Sequence, residues 1–95
     1  MKFIIQPLAE QDISDAFDWY QRQLPGLGTQ YLFQLDQIFT KLKHNPQLYP
    51  VHYRQLRRAL VRRFPYSIYY QFDTEALRIV AVLHQRQQFA KHIKR

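Results

Sequence analysis

The chain has 95 residues, 46% of them hydrophobic and 16% aromatic, with 2 glycines and 5 prolines; this supplies one modest core and argues against both disorder and several domains. It contains no cysteine, which excludes disulfide scaffolds, thiolate catalysis and zinc clusters built on cysteine. The formal net charge is +7, divided into −3 over residues 1–40 and +10 over residues 41–95, and a basic C-terminal half of this kind points to a polyanionic partner or an acidic protein surface.

Residues 2–6, KFIIQ, read as a short first strand. The apolar run there is too short for a signal peptide, and no run is long enough to span a membrane, so no membrane partner and a cytoplasmic location are expected. Pro7 suits the first turn of a helix, where its missing N–H costs nothing. Ala9, Ile13, Ala16, Phe17, Tyr20 and Leu24 then recur at helical spacing and predict an amphipathic helix over 8–24. Asp12, Asp15 and Asp18 fall on its solvated side. Trp19 adjoins Tyr20, so the two cannot both face the core, and an exposed Trp19 would belong to a partner interface. PGLG, residues 25–28, breaks the helix. A second helix is expected from about Thr29 to His44, with Tyr31, Leu32, Leu35, Ile38, Phe39 and Leu42 as its apolar stripe. Asn45-Pro46 stops it, and the short connection makes an antiparallel helical hairpin.

After the loop NPQLYP, three strands fit residues 54–63, 66–72 and 77–84. Phe64-Pro65 separates the first two, because proline cannot donate to the ladder. DTEA separates the second and third. Residues 85–95 form a basic tail. The predicted fold class is α+β: a short N-terminal strand, a helical hairpin, then a three-stranded antiparallel meander, with the helices on one face of the sheet. The chain reads as a single domain over residues 1–95.

Strand alternation assigns the faces. Pairing Phe72 with Leu77 sets Tyr70 opposite Ile79, Ile68 opposite Ala81 and Tyr66 opposite Leu83, which gathers the apolar residues on one face; a one-residue slip would scatter them. Arg58, Arg62, Tyr69, Arg78 and His84 then share the opposite face over an apolar floor, with Arg86 just beyond its edge. Such a set has nucleic-acid chemistry available to it. Metal-free RNA cleavage needs a base for the 2′-OH, cations for the phosphorane-like charge and an acid for the leaving oxygen. His84 is the candidate catalytic residue, since its intrinsic pKa suits either proton role. Arg58, Arg62, Arg78 and Arg86 can hold phosphates or an acidic protein surface, and Tyr69 can stack a base. The alternative is a histidine that caps a strand end and arginines that solvate the sheet. His44, His52 and His92 are scattered without a carboxylate set, so neither a metal nor another cofactor is expected.

Four segments carry a resemblance to a known family: DWYQRQLPGLG (18–28), HNPQLYP (44–50), RRALVRRFPYSIYY (57–70) and IVAVLHQR (79–86). Together they resemble the ParE/RelE superfamily, the toxins of bacterial type II toxin–antitoxin modules, over nearly the whole chain. The resemblance implies the same strand–helix–helix–strands order. It also implies a cognate antitoxin partner, a toxin–antitoxin hetero-oligomer and a role in plasmid stabilisation. The ParE-like branch poisons DNA gyrase; the RelE-like branch cleaves mRNA on the ribosome. The wording of the first and third segments is closer to ParE. Many RelE-like nucleases use a tail tyrosine, where Phe89 here cannot exchange a proton. Three readings follow: a ParE-like gyrase inhibitor, a RelE-like ribosome-dependent endoribonuclease, and an inactive basic binding module.

Overall fold

Pro7 opens the first helix at its N1 position, and a glycine separates the two helices, as their chemistry directs. The computed structural model describes residues 1–87, so the basic tail beyond Gln87 lies outside the described residues. In chain order the elements are β1 (Lys2–Ile5), α1 (Pro7–Gln23), α2 (Leu27–His44), β2 (Val51–Tyr53), β3 (Leu56–Leu60), β4 (Tyr66–Phe72) and β5 (Ala76–His84). They build one five-stranded sheet in the order β1-β5-β4-β3-β2. β1 pairs in parallel with β5 and the other neighbours are antiparallel. The sheet is therefore mixed, and the fold is the expected α+β arrangement with one strand more than predicted.

The extra strand comes from the segment read as a single strand over 54–63. Arg54 has φ +51, a left-handed turn conformation, so the chain reverses there. β2 and β3 become a hairpin in place of one long strand. The meander thus has four strands.

α1 and α2 cover one face of the sheet. Ala9, Ala16 and Tyr20 from α1, and Tyr31, Leu35, Ile38, Phe39 and Leu42 from α2, join Ala59, Ile68, Tyr70, Leu77, Ile79 and Val82 in one apolar cluster. Each large side chain buried there contributes about 1.5–3 kcal/mol. The cluster has an aromatic centre. Tyr31 sits 5.4 Å from Tyr20, 5.4 Å from Phe64 and 5.1 Å from Tyr66, measured between ring centroids. Tyr70 is fully buried, and its hydroxyl donates to the Pro46 carbonyl at 2.8 Å. The Arg57 guanidinium donates to the Tyr49 carbonyl at 2.7 Å. Together they tie the NPQLYP loop to the sheet.

The predicted register holds at one end of the β4–β5 hairpin and fails at the other. Phe72 faces Leu77 and Tyr70 faces Ile79, as expected, but Tyr69 faces Ala81, which leaves Val80 as an extra residue. This is a β-bulge, and it exchanges the two faces for the rest of β5. Ile68 faces Val82 and Tyr66 faces His84. Val82 joins the core under the helices, while Ala81 and Leu83 pack with Tyr69 on the other side. The bulge lies where β1 stops: the Gln6 N–H donates to the Ile79 carbonyl at 3.0 Å, and past that point α1 takes over the edge. The Asp12 carboxylate accepts the Val82 N–H at 3.0 Å.

Candidate functional site

The bulge decides where His84 stands. It was expected beside Tyr69 on the uncovered face. It lies instead on the helix side, with its ring 5.2 Å from that of Tyr66 in an edge-on contact. There it lines a cavity of about 820 Å³ between α1 and the ends of β4 and β5. Asp12, Asp15, Trp19, Tyr20 and Arg86 form other parts of the wall. Trp19 is 51% exposed and meets Tyr20 edge-on at 5.1 Å. Helical spacing brings Asp12 and Asp15 onto one side of α1 with Trp19, which the reading of the two carboxylates as merely solvated did not anticipate; Trp19 is exposed as expected.

Hydrogen bonding fixes what His84 can do. Its Nδ1 accepts the Arg86 backbone N–H at 3.0 Å, so the neutral ring carries its proton on Nε2. The ring presents a donor, not a basic lone pair. Protonating Nδ1 would first break the contact to Arg86. The strand end is held further by the His84 N–H, which donates to Gln87 Oε1 at 2.7 Å. Burial raises the pKa of Tyr20, an effect partly offset by its hydroxyl's interaction with Tyr66. Burial, and then the neighbouring Tyr20, push Tyr66 up to about 12. Tyr31 beneath them is also raised, chiefly by burial. Its hydroxyl is enclosed with no hydrogen-bond partner among the described residues. All three phenols stay neutral at physiological pH, and Tyr20 and Tyr66 bring hydroxyl donors to the cavity wall. The cavity thus gathers the carboxylates of Asp12 and Asp15 on α1 with the side chains of Tyr66, His84 and Arg86 at the ends of β4 and β5.

The other residues selected from the sequence are dispersed. Arg58 and Tyr69 are direct cross-strand partners, so that pair was placed correctly. Tyr69 is only 5% exposed and packs with Ala81 and Leu83, which leaves no open ring for a base. His52, on β2, was not selected; its ring centroid is 5.9 Å from that of Tyr69. Its pKa is lowered by burial and then by the Arg58 charge. Arg78 is engaged in the hairpin turn through an ion pair with Asp73 at 2.9 Å. Arg62 lies past the end of β3 and lines a separate cavity beside α2, with Lys41 and Arg63. The expected single set is therefore divided in three: Arg58, Tyr69 and Arg78 keep the uncovered face, the bulge moves His84 with Arg86 to the helix side, and Arg62 falls past the short β3. Among the described residues, no group of three or more His, Asp or Glu side chains is arranged to hold a metal ion.

A family model described as the ParE toxin of the type II toxin–antitoxin system parDE matches residues 3–89. No curated protein sequence matches the chain. Among solved structures, a chain from the chromosomal ParDE toxin–antitoxin system of P. aeruginosa superposes with a TM-score of 0.77. The match covers 88% of this chain and 95% of that one at 15% identity, a likeness that speaks to the fold.

Proposed function

The chain belongs to the ParE toxin family of type II toxin–antitoxin systems, and from that premise we propose that it arrests growth by binding and inhibiting DNA gyrase until a cognate antitoxin neutralises it. The observation that carries this reading is the family match over residues 3–89. Two features of the chain support action by binding in place of cleavage. His84 is held as the Nε2–H tautomer by the Arg86 N–H, which disfavours a general-base role. Phe89 supplies no exchangeable proton where RelE-like nucleases use a tyrosine. In this reading the cavity between α1 and the end of β5 contacts the target, with Trp19 as an apolar anchor and Arg86 as a cation. Arg78 and Tyr69 serve the fold instead.

The test has two stages. Expression of the chain alone should arrest growth, and co-expression with the small open reading frame beside its gene should restore it. Purified protein should then abolish supercoiling of relaxed plasmid by gyrase, and the His84→Ala variant should retain that effect. Intact supercoiling with codon-phased cuts in mRNA would replace this reading with the RelE-like one. Normal growth and intact supercoiling would leave an inactive binding module.

A further inference from the structure

Neighbours on an extended backbone point to opposite sides, yet Arg62 and Arg63 line the same cavity, a recess of about 340 Å³ between α2 and the end of β3. The chain bends there, and Arg63 is held at φ +71. That left-handed conformation is uncommon for a residue with a Cβ, and residues held in it cluster at ligand clamps and active sites. Lys41 reaches the same recess from the last turn of α2. The lining holds no carboxylate. Among the described residues, neither Lys41, Arg62 nor Arg63 has an ion-pair partner; the ion pair seen is Arg78 with Asp73. Three like charges gathered at one recess repel one another, a cost that an anion there would reverse.

The rest of the wall carries a different chemistry. Phe33 is 59% exposed and Leu60 is 53% exposed, and they bring an aromatic ring and an aliphatic side chain to the recess. Gln34 and Gln37, one helical turn apart on α2, bring two carboxamides. Each carboxamide has a donor side and an acceptor side. An inorganic anion would use the cations alone. The complete wall matches a molecule with a polyanionic end, a flat apolar face and a hydrogen-bonding edge. The volume falls within the range of small-molecule sites, about 300–1,000 Å³.

We infer that this cavity binds a nucleoside polyphosphate. The phosphates lie against Arg62, Arg63 and Lys41, where planar guanidinium groups hold paired phosphate oxygens. The base stacks on Phe33, the sugar covers Leu60, and the carboxamides of Gln34 and Gln37 meet the base edge. A glutamine carboxamide pairs with the N6 and N7 edge of adenine, so adenine is the favoured base. A nucleic-acid strand is the weaker fit. A strand presents one phosphate per nucleotide and stacks successive bases on successive rings along a groove, whereas this recess concentrates three cations beside one exposed ring. The inference goes beyond the proposed function and holds whether or not the target is gyrase.

The experiment is calorimetric titration of the full chain with ATP in buffer free of divalent cations. Inorganic triphosphate is the comparison without a base, and single-stranded oligoadenylate the comparison with a strand. ATP should bind saturably at one site per chain, about tenfold more tightly than triphosphate. Phe33→Ala should remove that margin and leave triphosphate affinity unchanged. Lys41→Ala with Arg62→Ala should weaken both ligands about tenfold. Arg22→Ala with Arg54→Ala, an equal charge change elsewhere, should alter both less than about twofold. All five substituted residues are exposed, so the variants keep the fold, which circular dichroism would verify. Equal affinity for ATP and triphosphate would overturn the inference, because the base would then make no contact. Equal losses from both charge pairs would overturn it as general attraction of anions to a chain at +7. Oligoadenylate bound more tightly than ATP, and lost with Phe33→Ala, would reassign the recess to a nucleic-acid strand. Absence of ATP binding would also overturn it.

Discussion

Arg63 holds φ +71 with no glycine to relieve it. For a residue with a Cβ this conformation costs about 1–2 kcal/mol. Glycine there would recover that and give back about 0.5–1 kcal/mol in unfolded-chain entropy. Arg63→Gly should therefore raise stability by up to about 1 kcal/mol in urea unfolding, whereas Arg63→Ala, which keeps the Cβ, should not. Asp73 offers a second test at a single residue. The backbone N–H groups of Ala76 and Glu75, and then Arg78, hold its carboxyl near 2, below its ordinary 3.8. A depressed folded value means that its contribution is present above about pH 4 and is lost as pH falls towards 2. Thermal melts of wild type and Asp73→Asn should differ at neutral pH and converge by pH 2. A gap that persists at pH 2 would show that the charge is not responsible.

The connection between the helices shows how few atoms decide an element. Gln21 Oε1 accepts the N–H of Gly26 at 3.1 Å and of Gly28 at 2.9 Å, capping the start of α2 from α1. A Cβ on Gly28 would lie 2.8 Å from the Phe17 carbonyl oxygen, a backbone atom that cannot step aside. Gly28→Ala should destabilise by about 2 kcal/mol, measured by urea unfolding. Gly26→Ala meets open space and carries only the strain of φ +94, about 1 kcal/mol. If the two variants were equal, close helix approach would not be the constraint at Gly28. PGLG was legible as a break, and so were both helices, because their apolar spacing is a local signal. The start of α2 at Leu27 and not Thr29 depended on Gln21, which no periodicity reveals. Val51–Tyr53 is only three residues long and exposed at every position, too short for alternation to mark it as a strand. Val80 was invisible as a bulge because Ile79 to Leu83 is apolar throughout, and burial could not choose between registers there. That single residue moved His84 from the uncovered face to the helix side. Its neighbours Asp12 and Trp19 come from the far end of the chain, beyond what strand or helix spacing can connect.

Across the whole molecule, the uneven charge seen in the sequence becomes two sides of α1 and α2. Asp12 and Asp15 line the cavity with His84, and Lys41, Arg62 and Arg63 line another beside α2. Between these sides the helices and the sheet meet at Tyr20, Tyr31, Phe64 and Tyr66. Tyr20 lies 5.0 Å from Phe64 and 6.1 Å from Tyr66 by ring centroid, so α1, α2, β4 and the loop before it share one aromatic contact. Ionising any of these phenols would place a charge where three elements join. Burial, then Tyr20, raise Tyr66 from 10.0 to about 12, and burial raises Tyr20 and Tyr31 in the same direction. The sign follows from linkage: a group raised in the folded state favours folding fully below its unfolded value. That contribution is lost as pH climbs through the folded value. Stability should therefore hold to about pH 10 and fall steeply between 10 and 12. Because the cluster joins both helices to the sheet, far-ultraviolet dichroism and tyrosinate absorbance should change together in one transition. Tyr66→Phe removes the ionisable hydroxyl and keeps the ring, so its decline over the same interval should be shallower. Tyrosinate absorbance rising well before the fold is lost would mean that these phenols ionise in place, and that the aromatic centre is not what holds helices and sheet together.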